Sequence, residues 1–108
     1  MMQAPPVPMS PAQFAQAAPG HSVEISVRVK RVDRSTLYTE LLAQETATQA
    51  KVTGKEVVIF FADGTPVVMG GASDVTAGAT LYVYGVLTKP AHVDAKRVVV
   101  DTKYVTVH

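Results

Sequence analysis

The chain has no cysteine and no tryptophan among its 108 residues. Without cysteine there is no disulfide, no thiolate nucleophile and no Cys-based zinc or iron–sulfur centre. That absence assigns no compartment by itself. A dominant charge is missing too. Ten basic residues stand against nine acidic ones, for a formal net charge of +1. No global field draws the protein to nucleic acid or anionic lipid. Long hydrophobic runs are also absent. The longest, at residues 57–62 and 81–87, fall far short of the roughly 18–20 residues that span a bilayer. No nucleophile-turn signature, phosphate-cradling glycine loop or paired-acid motif is present, so the chain reads as a non-enzyme. Three of its methionines stand at positions 1, 2 and 9, and its histidines His21, His92 and His108 lie far apart. They are read as surface residues, with no metal site and no cofactor expected.

What remains is rich in one kind of residue. There are 19 valines and 11 threonines, but only five leucines and two isoleucines. β-Branched side chains have restricted χ1 and pack well on a pleated surface, so this composition predicts strands. The first 23 residues carry no charged side chain, and five of the seven prolines lie within the first 20. Residues 1–20 therefore read as a Pro-rich lead-in, and residues 21–108 as the folded unit. No basic n-region and unbroken apolar stretch mark a secretory signal. The compartment stays open: cytoplasmic, or periplasmic if an upstream signal or anchor has been removed.

Ser10, Pro11 and Gln13 form a helix start, with a capping serine, a first-turn proline and the glutamine of a capping box. Phe14, Ala17 and Ala18 follow on one face, and Pro19-Gly20 stop the run. The expectation is a short helix over 10–18 whose Phe14 seals one end of the domain. From Val23 the period becomes two. Val23, Ile25, Val27 and Val29 alternate with polar residues, and a slip at Arg31-Val32 predicts a bulge. A second strand is expected over 36–43, with Leu37, Leu41 and Ala43 on one face and Tyr38 and Glu40 on the other. Residues 44–55 read as a long polar loop. A third strand over 56–62 reads as buried on both faces at Val57–Phe61. Asp63-Gly64 signals a hairpin to a short partner at 65–69, with Met69 in the core. A capped turn over 73–78, a strand over 80–88 broken by Gly85, a loop at 90–92 and a last strand over 97–107 complete the pattern. Five principal strands and a mid-strand glycine predict an all-β fold. Specifically, they predict a small, five-stranded closed β-barrel with a short N-terminal helix.

The segment SDVTAGATLYVYGVL and the strand HVDAKRVVV resemble the second half of an OB-fold. Together with MSPAQFAQAAPGHSVEISVRV, they also resemble the layout of the periplasmic haem chaperones of cytochrome c maturation, themselves small OB barrels. That family attaches haem through a histidine after strand five, with a tyrosine four residues on. Here the stretch is Val100-Asp101-Thr102-Lys103-Tyr104, with valine at the histidine position. The resemblance implies that the five-stranded closed β-barrel is OB-like, and it speaks against covalent haem carriage.

OB barrels bind single strands across strands two and three and the adjoining loops. Arg28, Lys30 and Arg31 give a locally basic first strand, and Tyr38, Tyr82 and Tyr84 are candidate stacking platforms. These six are the expected ligand-binding residues. The same residues also fit a plainer role, as the solvated face of an amphipathic strand and as half-buried fillers. The expected function is a binding module for single-stranded nucleic acid or another oligomer. The alternative is an exported, haem-chaperone-like or protein-interaction barrel without haem attachment.

Overall fold

The computed structural model describes residues 8–46, 49–100 and 106–107. Helix α1 spans Pro11–Gln16 and is followed by seven strands. They are β1 (Ser22–Asp33), β2 (Thr36–Gln44), β3 (Gln49–Phe60), β4 (Val67–Val68), β5 (Thr80–Lys89), β6 (His92–Val100) and β7 (Thr106–Val107). A single 3-10 turn at Ala72–Asp74 lies between β4 and β5. The fold is therefore mostly β with one short helix. The residues 1–7, Tyr104, His108 and the middle of the expected 97–107 strand fall outside the described residues.

The helix forms for local reasons. Gln13 N donates to Ser10 Oγ at 3.1 Å, and Ser10 N donates to Gln13 Oε1 at 2.9 Å. Pro11 takes a position whose N–H has no helical acceptor. The helix ends sooner than expected because Ala17 is already extended, with ψ 137°. Phe14 is only 3% exposed and joins the core cluster.

The pairings run β1–β2, β2–β3, β3–β6, β6–β5 and β5–β1. All are antiparallel except β3–β6, which is parallel through Val58↔His92, Ile59↔Val93 and Phe60↔Asp94. One side of each strand faces the core, as period-two burial requires. Val23, Ile25, Val27 and Val29 are buried with Leu37, Leu41, Val57, Ile59, Leu81 and Val83. The bulge on β1 falls between Val29 and Arg31, one residue ahead of the expected slip. A second irregularity, at Tyr84/Gly85, brings β5 hard against β6.

Five expectations need correction. Residues 44–55 are not a loop: β3 begins at Gln49 and pairs with β2 through Leu42↔Val52 and Gln44↔Ala50. Its period is masked by a bulge, where Gly54 (φ 77°) donates its N–H to Glu40 Oε2 and Thr53 Oγ1 donates to Leu41 O. The segment after Asp63-Gly64 does turn, but it does not pair back on β3. Both edges of β3 are taken, by β2 and β6, so Val67 and Val68 pair with Val98 and Val99 in parallel. Met69 is 60% exposed rather than core, and Phe60 is 50% exposed rather than buried. The last long strand starts at His92 instead of Arg97. A two-residue turn with Ala91 at φ 61° reverses the chain at once.

Candidate binding face

Cross-strand partners share a face of the sheet. The register therefore defines two rows on the outer side of β1, β2, β3 and β6. The first runs Arg31–Tyr38–Val58–His92, and the second runs Asp33–Thr36–Phe60–Asp94. At about 4.8 Å between strands, each row crosses ~14 Å of surface. Leu37, Val57 and Ile59 alternate with these residues and anchor the same strands in the core. The face is thus held by the backbone ladder and by core packing, not by its own side chains.

The Arg31 guanidinium sits 4.1 Å above the centre of the Tyr38 ring. A delocalised, weakly hydrated cation over a π face suits both partners, and it presents a second flat surface outward. Beside it, Phe60 is half exposed. Between the β1–β2 and β5–β6 turns opens a cleft of about 240 Å³, lined by Thr36, Val58, Phe60, Thr88, His92, Val93 and Asp94. His92 Nδ1 lies 2.9 Å from Pro90 O. A carbonyl only accepts, so Nδ1 carries the proton and Nε2 is left as an acceptor in the neutral ring. Asp94 Oδ2 accepts from Lys96 Nζ at 3.0 Å.

The six expected residues do not form one site. Arg31 and Tyr38 are brought together. Arg28 and Lys30 are exposed further along β1, where they line a shallow depression with Glu40 and Gly78. Arg28 is paired across the ladder with Glu40, which offsets its charge. Tyr82 and Tyr84 lie on β5, opposite Ser26 and Glu24 of β1 and away from the rows. Their ring centres are 4.9 Å apart, and Arg97 stacks on Tyr84 at 4.0 Å. Tyr82 is only 4% exposed, so its face is closed to an incoming base. Its hydroxyl donates to Glu24 Oε2 at 3.4 Å. Burial, with the Glu24 charge adding to it, pushes the Tyr82 hydroxyl well above its ordinary pKa. Tyr82 is thereby kept as a neutral donor.

Sequence reading missed Thr36, Phe60, His92 and Asp94. The signal for Phe60 was there: once Val57 and Ile59 face the core, Val58 and Phe60 must face outward. His92 and Asp94 were hidden by the misplaced start of β6. Among the described residues no cluster of three or more His, Asp or Glu side chains stands ready to hold a metal ion, and no helix is long and apolar enough to cross a membrane.

Fold and face together define a small strand-rich module with an aromatic, basic-edged surface. No protein-family model, curated protein or solved structure gives a significant match to the chain.

Proposed function

We propose that the chain is a closed five-stranded barrel of the OB type, and a non-enzymatic module that binds single-stranded nucleic acid across β2 and β3. The strand pairings support the barrel. Five long strands pair in the order β1–β2–β3–β6–β5 and return to β1, with the one parallel pairing between the third and fifth of them. That is the arrangement of an OB barrel, whose strand-two and strand-three face takes oligomers. The observation that carries the binding reading is the Arg31–Tyr38 stack beside half-exposed Phe60.

The chemistry follows from the residues. Bases stack on exposed aromatic rings and on guanidinium planes, whatever their sequence. Arg28, Lys30, Arg31 and Arg34 stand on β1 and its turn, within reach of a phosphate backbone that follows the strand. Asp33 and Glu40 on the same face limit the local field. Affinity then depends on stacking more than on charge.

Fluorescence anisotropy with a labelled oligo-dT strand tests this. Wild-type protein binds at low salt. Tyr38→Ala and Phe60→Ala each weaken binding by about 5- to 100-fold, the range of one lost base–aromatic stack. Tyr84→Ala, away from the face, leaves it unchanged. With at most four cations at the phosphates, the slope of log K against log salt is no steeper than about −3. No binding at high micromolar protein, or binding indifferent to salt, rejects the proposal.

A further inference from the structure

The cleft beside Phe60 sets hydrogen-bond acceptors beside an apolar surface. In the neutral imidazole His92 Nε2 is an acceptor, because Pro90 O takes the proton on Nδ1. Asp94 accepts only, and Lys96 engages one of its oxygens, Oδ2. Among the described residues neither His92 Nε2 nor Asp94 Oδ1 has a partner. The Thr36 and Thr88 hydroxyls also line the cleft, and Thr88 already donates to His92 O at 3.3 Å. Phe60 and Val58, the cross-strand neighbours of Asp94 and His92, supply the cleft's apolar surface. At about 240 Å³ the space is somewhat below the ~300–1,000 Å³ usual for drug-sized ligands, which suits a single heterocycle.

An apolar platform under an acceptor-rich edge selects a flat ring with a donor-rich edge. We propose that the cleft takes one nucleobase bearing an exocyclic amino group, guanine above the others. The base stacks on Phe60 and donates to Asp94 Oδ1 and His92 Nε2. Guanine offers N1–H and the N2 amino group side by side, one donor for each of these two acceptors. Adenine and cytosine each offer an amino group next to a ring acceptor, so one contact is lost. Thymine and uracil offer one N–H between two carbonyls, and those carbonyls face two more acceptors. Reading a splayed base by its Watson–Crick edge above an aromatic ring is how single strands are discriminated.

This inference rests on the single-strand-binding reading above, and it adds a base preference that stacking alone does not give. The positions are set by the fold. His92 and Asp94 are alternate residues of β6 on the outer face, and the parallel ladder places them opposite Val58 and Phe60. The turn that fixes the His92 tautomer is the tight one made by Pro90 and left-handed Ala91.

The experiment uses wild-type protein and a labelled oligo-dT strand whose central base is T, G, A, C or inosine. A single central G binds at least about five-fold tighter than T, the lower end of what one good bidentate contact discriminates. Inosine, which lacks the N2 amino group, loses most of that gain. Asp94→Asn abolishes the G preference. Equal affinity for all five strands overturns the inference while leaving the binding reading standing. So does a G preference that survives in Asp94→Asn. Failure of every strand to bind overturns both.

Discussion

Replacing Gly85 with alanine is the sharpest probe of how β5 and β6 are joined. A Cβ built at Gly85 would lie 2.5 Å from Asp94 O and 2.6 Å from Val93 Cγ1. Real Cβ atoms essentially never approach closer than 3.0 Å, so the strands must part by 0.5 Å or more. The obstructing oxygen is backbone, and no rotamer change relieves it. Strand β6 is held on its other side by β3 and β4, so it has little freedom to yield. Overpacking of this kind costs about 1–3 kcal/mol, and a backbone obstruction belongs at the upper end. At about 2–3 kcal/mol, the melting temperature of a domain this size falls by roughly 10–20 °C. Gly71→Ala is the control. Its Cβ meets nothing closer than 3.9 Å, so its change stays within about 0.5 kcal/mol. Thermal unfolding followed by far-UV circular dichroism reads both variants. A Gly85→Ala protein melting within a few degrees of wild type would refute the close-approach argument.

Two further outcomes concern the core and the second aromatic pair. Phe14→Ala removes the buried ring by which α1 joins the core, and urea titration should show a loss of about 3–5 kcal/mol. No shift in the urea midpoint would mean that α1 does not seal the fold. Tyr82 carries its proton to higher pH in the folded chain than in the unfolded one, whose tyrosine titrates near 10.0. Above that value the folded state binds more protons, so stability falls as pH rises. Chemical denaturation between neutral and strongly alkaline pH should show this decline in wild type and a flatter profile in Tyr82→Phe. Identical profiles would contradict the buried-donor assignment.

The alternation of Val23 through Val29 made β1 legible, and Ser10, Pro11 and Gln13 made α1 legible. Both signals are local, and period and capping need no knowledge of partners. The polar arm of β3 was illegible because its order comes from the β2 ladder, across a bulge that breaks the period at Gly54. The pairing of Val67 and Val68 with β6 was equally hidden, since it depends on which edges are already filled. The candidate face divides in the same way. Arg31 and Tyr38 stand out as residue types in a strand pattern. Their neighbour across the sheet, His92, is joined to them only by the parallel β3–β6 register. Tyr82 shows the converse: a tyrosine on an outer position looks like a platform in sequence, and its burial comes from tertiary surroundings.

The candidate face also bears on the order in which the molecule is assembled. The β1–β2–β3 meander and the β5–β6 hairpin each close between neighbours in sequence; the first carries six of the eight row residues and the second carries two. Arg31, Tyr38 and Phe60 belong to the first unit, and His92 and Asp94 to the second. The cleft comes into being only when the two units meet through long-range pairings, which are the slow contacts of a β fold. A ligand held across that seam therefore stabilises the contacts formed last. A ligand that bound there would act as a clasp on the completed fold, and its occupancy would report that folding has finished.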